Sequence, residues 1–163
     1  MVRIPLRYEP DGLITSGILF NIKMRSPGPV DFLVDTGAAI TMLSPYDQVR
    51  LGMDPQKLGL RRYERRLTTI AGKGNAFKLS HCLISLPASD PGGGHLDLEV
   101  PDLLLLEQDP DTAKSRKDGG RSTIASRPRM DYVPSILGRD LLELHGLLLV
   151  VDFKARSAFL EAR

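Results

Sequence analysis

The apolar runs of this chain are short, because glycine and proline interrupt them throughout. This feature constrains the fold more than any other. The 163 residues include 15 Gly and 12 Pro, and such punctuation is typical of strands joined by turns. We therefore expect a mainly β protein, and the length fits one domain. No apolar run approaches the roughly 20 residues that a membrane-spanning helix requires, so no membrane association is predicted.

The order of apolar and turn-forming segments predicts a succession of hairpins with two short helices. A first hairpin, with strands over residues 13–24 and 30–34, leads directly into Asp35. A second hairpin carries the glycine-containing stretch 71–74 at its tip. The other predicted elements are a strand over 2–8, a helix over 45–51 capped by Ser44 and stopped at Gly52, hairpin strands over 65–70 and 75–86, an apolar run over 100–106, a strand over 133–137, a helix over 139–144, and closing strands over 147–153 and 157–160.

Residues 107–131 differ from the rest of the chain because they are polar, basic and glycine-containing. We predict that they form a mobile insertion within a single domain spanning residues 1–163.

Charge, cysteine and histidine content exclude several classes of protein. The net charge of +2, from 22 basic and 20 acidic residues, is too small to indicate nucleic-acid binding by itself. The single cysteine, Cys82, excludes an intrachain disulfide and favours a reducing compartment. The three histidines and Cys82 lack any short ligand spacing, so no metal and no cofactor are predicted. The first ten residues are charged and lack an apolar run, so we expect a cytoplasmic protein.

The segment with the most informative chemistry is Asp35-Thr36-Gly37 and its flanks. An apolar strand delivers the carboxylate of Asp35 to a tight turn, and Gly37 allows the backbone to approach that carboxylate closely. The alternative interpretation is an ordinary strand that ends at an Asp-containing turn, which is common in proteins.

Two further motifs favour catalysis. Ile136-Leu137-Gly138 precedes the predicted helix, and the glycine-tipped hairpin lies between this motif and Asp35. With these three motifs in this order, most of the chain resembles the retropepsins, the homodimeric aspartic proteases of retroviruses and their cellular and microbial relatives. The resemblance implies a retropepsin-like acid protease fold: a closed, β-barrel-like protomer with a flap hairpin and one or two short helices.

The resemblance also implies roles for particular residues. Asp35 would be the catalytic aspartate, Thr36 would bond to its copy across a dimer, and Gly37 would offer its backbone to substrate. The residues implied as the flap that closes over substrate are Ile70, Ala71, Gly72, Lys73 and Gly74. Those implied to pack behind the active-site loop are Ile136, Leu137 and Gly138.

At one position the chain departs from the viral pattern. An acidic residue often follows Asp-Thr-Gly-Ala in the viral enzymes and pairs with the arginine of the Gly-Arg motif, but here that position is Ala39. Arg139 is therefore expected to lack that partner. Asp140, the next residue, has no role that the sequence suggests.

The single Asp-Thr-Gly implies a homodimer that acts on polypeptide substrate. Aspartic proteolysis uses two carboxylates that share one proton, so a chain with one such motif must pair with its own copy, and a two-fold interface is the commonest way for chains to assemble. The alternatives are a catalytically weak, dimeric, peptide-binding module of the same fold and a basic nucleic-acid-associated domain. The basic stretch 57–66 is better explained as a solvated surface than as a nucleic-acid-binding surface, so no nucleic acid is expected.

Overall fold

The computed structural model describes residues 1–69, 72–89, 93–107 and 133–162. The protein is mainly β, as predicted. Its strands are β1 (Val2–Glu9), β2 (Gly12–Phe20), β3 (Gly28–Val34), β4 (Met42–Leu43), β5 (Arg61–Arg62), β6 (Leu67–Thr69), β7 (Gly72–Gly74), β8 (Ala76–Pro87), β9 (His95–Leu106), β10 (Ser135–Leu137), β11 (Leu147–Asp152) and β12 (Ser157–Ala162). The described helices are α1 (Pro45–Arg50) and α2 (Arg139–Leu144).

Six of the strands close into a ring. The larger sheet has the order β11-β12-β1-β2-β3-β10-β4-β9-β8-β5, and an additional pairing of β2 with β8 joins β2, β3, β10, β4, β9 and β8 into a closed barrel. The pairings of β3 with β10 and of β4 with β9 are parallel. Outside the ring, β1 pairs with β12 from Val2↔Ala162 to Leu6↔Ala158. The expected closed, barrel-like protomer is confirmed.

Alternating side chains fill the barrel. On β3, Val30, Phe32 and Val34 are buried while Asp31 is exposed, which is the period of two that a strand imposes. The main core is built chiefly from leucine, with Phe32 among its largest fully buried side chains. This packing holds β3 rigidly, and β3 is the strand that leads to Asp35.

The helix that follows β4 begins as the sequence predicted. The Ser44 hydroxyl accepts a hydrogen bond from the amide of Asp47 at 3.2 Å, and Pro45 occupies the first turn, both of which are favoured at a helix start. Gly52 follows the helix with φ +65°, a conformation that glycine adopts readily.

Two of the predicted strands outside the flap differ most in their bounds from those observed. The strand predicted over 13–24 ends at Phe20, because the Asn21 side chain turns the backbone by accepting from the Lys23 amide at 2.9 Å and donating to Ser80 O at 2.9 Å. β9 begins at His95, ahead of the apolar run predicted over 100–106.

The predicted flap hairpin exists, but its strands differ from those predicted. β6 pairs with β7 in a separate two-stranded sheet, with Leu67 opposite Gly74 and Thr69 opposite Gly72. Residues 72–74, predicted as part of the tip, therefore lie in a strand. Ile70 and Ala71 lie outside the described residues.

The predicted insertion begins at Glu107, which the structure describes. Its amide donates to Asn75 O at 2.9 Å, and its carboxylate accepts from Arg62 at 2.6 Å and from Asn75 at 2.9 Å. Residues 108–131 lie outside the described part of the chain, so their mobility stays a prediction. Among the described helices, none is long and apolar enough to cross a membrane.

Candidate active site

Asp35 stands at the carboxyl end of β3, where the barrel fixes its backbone. Its amide donates to Leu137 O at 3.2 Å, which extends the parallel pairing of Val34 with Leu137 by one bond. The position of Asp35 therefore depends on β10, a strand about a hundred residues further along the chain.

The turn after Asp35 orients its carboxylate. The amide of Gly37 donates to Asp35 Oδ1 at 2.8 Å, and the amide of Ala38 donates to Asp35 O at 3.1 Å. A Cβ atom at Gly37 would lie 3.1 Å from Asp35 Oδ1, so glycine suits this close approach. Among the described residues no hydrogen bond reaches Oδ2, and Asp35 is half-buried beside the exposed Thr36 and Gly37. The loop thus presents one carboxylate oxygen at the surface.

Gly138 lies directly behind this loop. A Cβ atom there would be 2.5 Å from the carbonyl carbon of Ile40 and 2.8 Å from the amide nitrogen of Thr41. The φ of Gly138 is −87°, so its need for glycine comes from this close packing. Leu137 is fully buried in the main core. The structure thus brings Leu137 and Gly138 together with the Asp35 loop.

Thr41 and Asp140 help to hold the Asp35 loop, a role that the sequence did not reveal. Asp140 Oδ1 accepts from the amide of Thr41 at 2.9 Å and from its hydroxyl at 2.7 Å. The amide of Gly138 in turn donates to Thr41 Oγ1 at 3.0 Å. The only sequence signal was their closeness to the two motifs, since Thr41 follows Asp35 by six residues and Asp140 follows Gly138 by two.

Arg139 reaches the loop through its backbone. Its amide donates to Ala38 O at 2.8 Å, whereas its guanidinium lies 3.4 Å from Glu143 one turn further along α2, with both side chains exposed. The arginine side chain that lacks an acidic partner at Ala39 is thus paired within its own helix.

The β6–β7 hairpin and the Asp35 loop share a second hydrophobic cluster. Its buried members are Met42, Ala76, Leu104 and Leu106, and the partly buried side chains packed against it are Ile40, Tyr63, Leu67, Val133 and Ile136. Ile40 belongs to the loop, Leu67 to β6 and Ile136 to β10, so one apolar cluster joins the three parts of the predicted site. The side chain of Lys73, an expected flap residue, lies outside the described ones.

Two cavities formed by described residues lie away from Asp35. One, of about 460 Å³, lies beside α1 and is floored by Met53 and Phe77. The other, of about 360 Å³, lies at the loop after β2 beside His81. Asp35 lines neither of them. In the described ranges no three His, Cys, Asp or Glu side chains are grouped so that they could hold a metal ion.

The closed barrel, the hairpin of β6 and β7 and the two described short helices define a retropepsin-like acid protease fold, and the Asp-Thr-Gly loop follows β3. Residues 21–80 match the family described as aspartyl protease. The fold is similar to that of a retropepsin-like aspartic protease from Rickettsia conorii, with a TM-score of 0.51 and 20% sequence identity over 97% of this chain and 89% of that chain.

A second solved structure, the EIAV protease in complex with the inhibitor HBY-793, matches with a TM-score of 0.43 and 19% identity, over 85% of this chain and 91% of that chain. No curated protein matches the chain. The predicted resemblance to the retropepsin-like aspartic proteases is confirmed by the family match and the fold.

Proposed function

We propose that this protein is an aspartic endopeptidase whose active site forms from two copies of Asp35 across a homodimer. The observation that carries the proposal is the exposed Asp35 loop, in which Gly37 holds one carboxylate oxygen at 2.8 Å while β10 and α2 brace the loop from behind.

The chemistry follows from placing two such carboxylates in contact. Like charges about 3 Å apart cannot both ionise, so the pair holds one proton. The ionised carboxylate acts as a general base on a water molecule, and the protonated one donates to the scissile carbonyl. Both roles are available to either copy because the pair titrates as a unit.

Two features of the protomer support a two-fold partner. The sequence has one Asp-Thr-Gly, and Thr36 and Gly37 are exposed beside Asp35. The half-buried side chains of Ile40, Leu67 and Ile136, which pack in one apolar cluster, favour a polypeptide with apolar side chains near the cleaved bond. We place the protein in the cytoplasm, in keeping with its single, buried cysteine.

The test compares the wild-type protein with Asp35→Asn on an unstructured peptide library between pH 4 and 7. We expect cleavage by the wild type and a loss of several powers of ten in the variant, because the substitution alters both carboxylates of the pair. Asp97→Asn is the matched control, since Asp97 is an exposed carboxylate of β9 outside the site and should leave cleavage unchanged.

Sedimentation equilibrium of the same proteins tests the dimer. Both variants should dimerise at tens of micromolar, and cleavage should rise with the dimer fraction. Activity retained by Asp35→Asn would end the aspartic protease proposal. Peptide binding by a wild-type dimer that cleaves nothing would support instead the catalytically weak, peptide-binding module.

A further inference from the structure

The carboxylate of Asp140 connects helix α2 by hydrogen bonds to the segment that follows the Asp35 loop. One oxygen, Oδ1, accepts two hydrogen bonds from Thr41, one from the amide at 2.9 Å and one from the hydroxyl at 2.7 Å. Thr41 is fully buried, so these two donors depend on Asp140 as their acceptor. Hydrogen bonds to an ionised acceptor are stronger than those between neutral groups.

The two bonds also orient Gly138. A hydroxyl has a single hydrogen, and Thr41 directs it to Asp140, so the Thr41 oxygen is left to accept from the Gly138 amide at 3.0 Å. The next amide, that of Arg139, donates to Ala38 O at 2.8 Å. Residues 138–140 therefore hold residues 38–41 through a continuous set of bonds.

Among the described residues, the bond from Thr41 to Asp140 is the only one that joins two side chains between α2 and the loop segment. Ala39 offers no carboxylate, and the guanidinium of Arg139 pairs with Glu143 on the exposed side of α2. Exposed ion pairs of this kind contribute little to stability. Asp140 thus makes the side-chain connection from α2 to the loop that Arg139 does not make.

We propose that Asp140 is a positioning residue for Asp35: acting through Thr41 and Gly138, it holds the loop where the Asp35 carboxylate can meet its copy. This inference rests on the proposed function. Removing the carboxylate leaves the two donors of Thr41 buried without their acceptor, and the segment must move to satisfy them. A displacement of about 1 Å at a catalytic group can cost about 100-fold in rate.

The test is a set of variants assayed for kcat and KM on a cleaved peptide. Asp140→Ala and Thr41→Val should lower kcat by about 10- to 100-fold, with KM changed far less, because the dyad is misaligned while the peptide-binding surface persists. Asp140→Asn keeps an acceptor oxygen and Thr41→Ser keeps the hydroxyl, so both should recover most of the lost kcat. Glu143→Gln, which breaks the exposed ion pair on the same helix, is the matched control and should retain wild-type kinetics.

Hydrogen exchange of backbone amides provides a readout that does not depend on activity. In Asp140→Ala, exchange at the amides of residue 41, Gly138 and Arg139 should accelerate at least tenfold, while amides in the β8–β9 pairing stay protected. If Asp140→Ala does not fold, the same result is expected in Thr41→Val. If no peptide is cleaved by the wild type, the proposed function fails, and exchange alone decides this inference. Wild-type kcat in Asp140→Ala, or unchanged exchange at these amides, would overturn it.

Discussion

Replacing Gly138 with alanine tests how tightly the Asp35 loop is packed from behind. The added Cβ would lie 2.5 Å from the carbonyl carbon of Ile40 and 2.8 Å from both its oxygen and the Thr41 amide nitrogen. Carbon atoms in contact normally stand about 3.5–4.0 Å apart, so the backbone must shift by roughly 1 Å. All three neighbours are backbone atoms, which cannot rotate away as a side chain would.

The magnitude follows from the cost of overpacking. Inserting one extra carbon into a well-packed site costs about 1–3 kcal/mol, which corresponds to a fall in Tm of roughly 2–12 °C for a domain of this size. Because the shift falls on the loop that carries Asp35, we also expect kcat to drop about 100-fold. Thermal unfolding followed by circular dichroism, together with the peptide assay, measures both effects.

Gly94→Ala is the matched control for this substitution. Gly94 is exposed and a Cβ there would meet nothing within 4 Å, so the same change of residue should leave Tm and kcat near wild type. A Gly138→Ala protein whose Tm matches that of the control would show that the segment from Ile40 to Thr41 yields easily. That result would refute the view that close packing behind the loop sets the position of Asp35.

Two further predictions follow from perturbed ionisable groups. Burial raises the pKa of the Cys82 thiol from 9.0 to about 11; a hydrogen bond from Asn21 opposes this rise and the charge of Asp102 adds to it. A thiol reagent at pH 8 should therefore label Cys82 only after unfolding, and the free energy of unfolding should fall as the pH rises from 9 through 11. Rapid labelling of the folded protein would contradict this. Burial acts to raise the pKa of Asp31, but hydrogen bonds from Ser16 and Arg7 with the nearby positive charges outweigh it and lower the pKa. The stabilisation from Asp31 is therefore present above the ordinary carboxyl pKa and lost as the pH falls through the lowered value. In denaturant unfolding, the free energy of unfolding of Asp31→Asn should fall less on acidification than that of the wild type. Parallel pH profiles of the two proteins would exclude this role.

Local patterns predicted much of the fold and the central residue of the site. The alternation on β3 and the Asp-Thr-Gly triplet are contiguous in sequence, so the strand that ends at Asp35 was recognisable without knowledge of its neighbours. The bounds of β9 were missed although a signal existed, because His95, Asp97 and Glu99 are exposed and alternate with more buried leucines. The strands of the flap were harder to place, since glycine at 72 and 74 indicates a turn as readily as an edge strand.

The sequence by itself determined that an apolar strand would deliver Asp35 to a glycine turn, and that one such motif would need a second copy to form a pair of carboxylates. Only the tertiary structure decided which distant groups hold that turn. Asp140 lies 99 residues from Thr41 along the chain, and no local pattern relates the two. They meet because the parallel pairing of β3 with β10 brings the start of α2 behind the loop, where a buried threonine requires a partner for each of its donors.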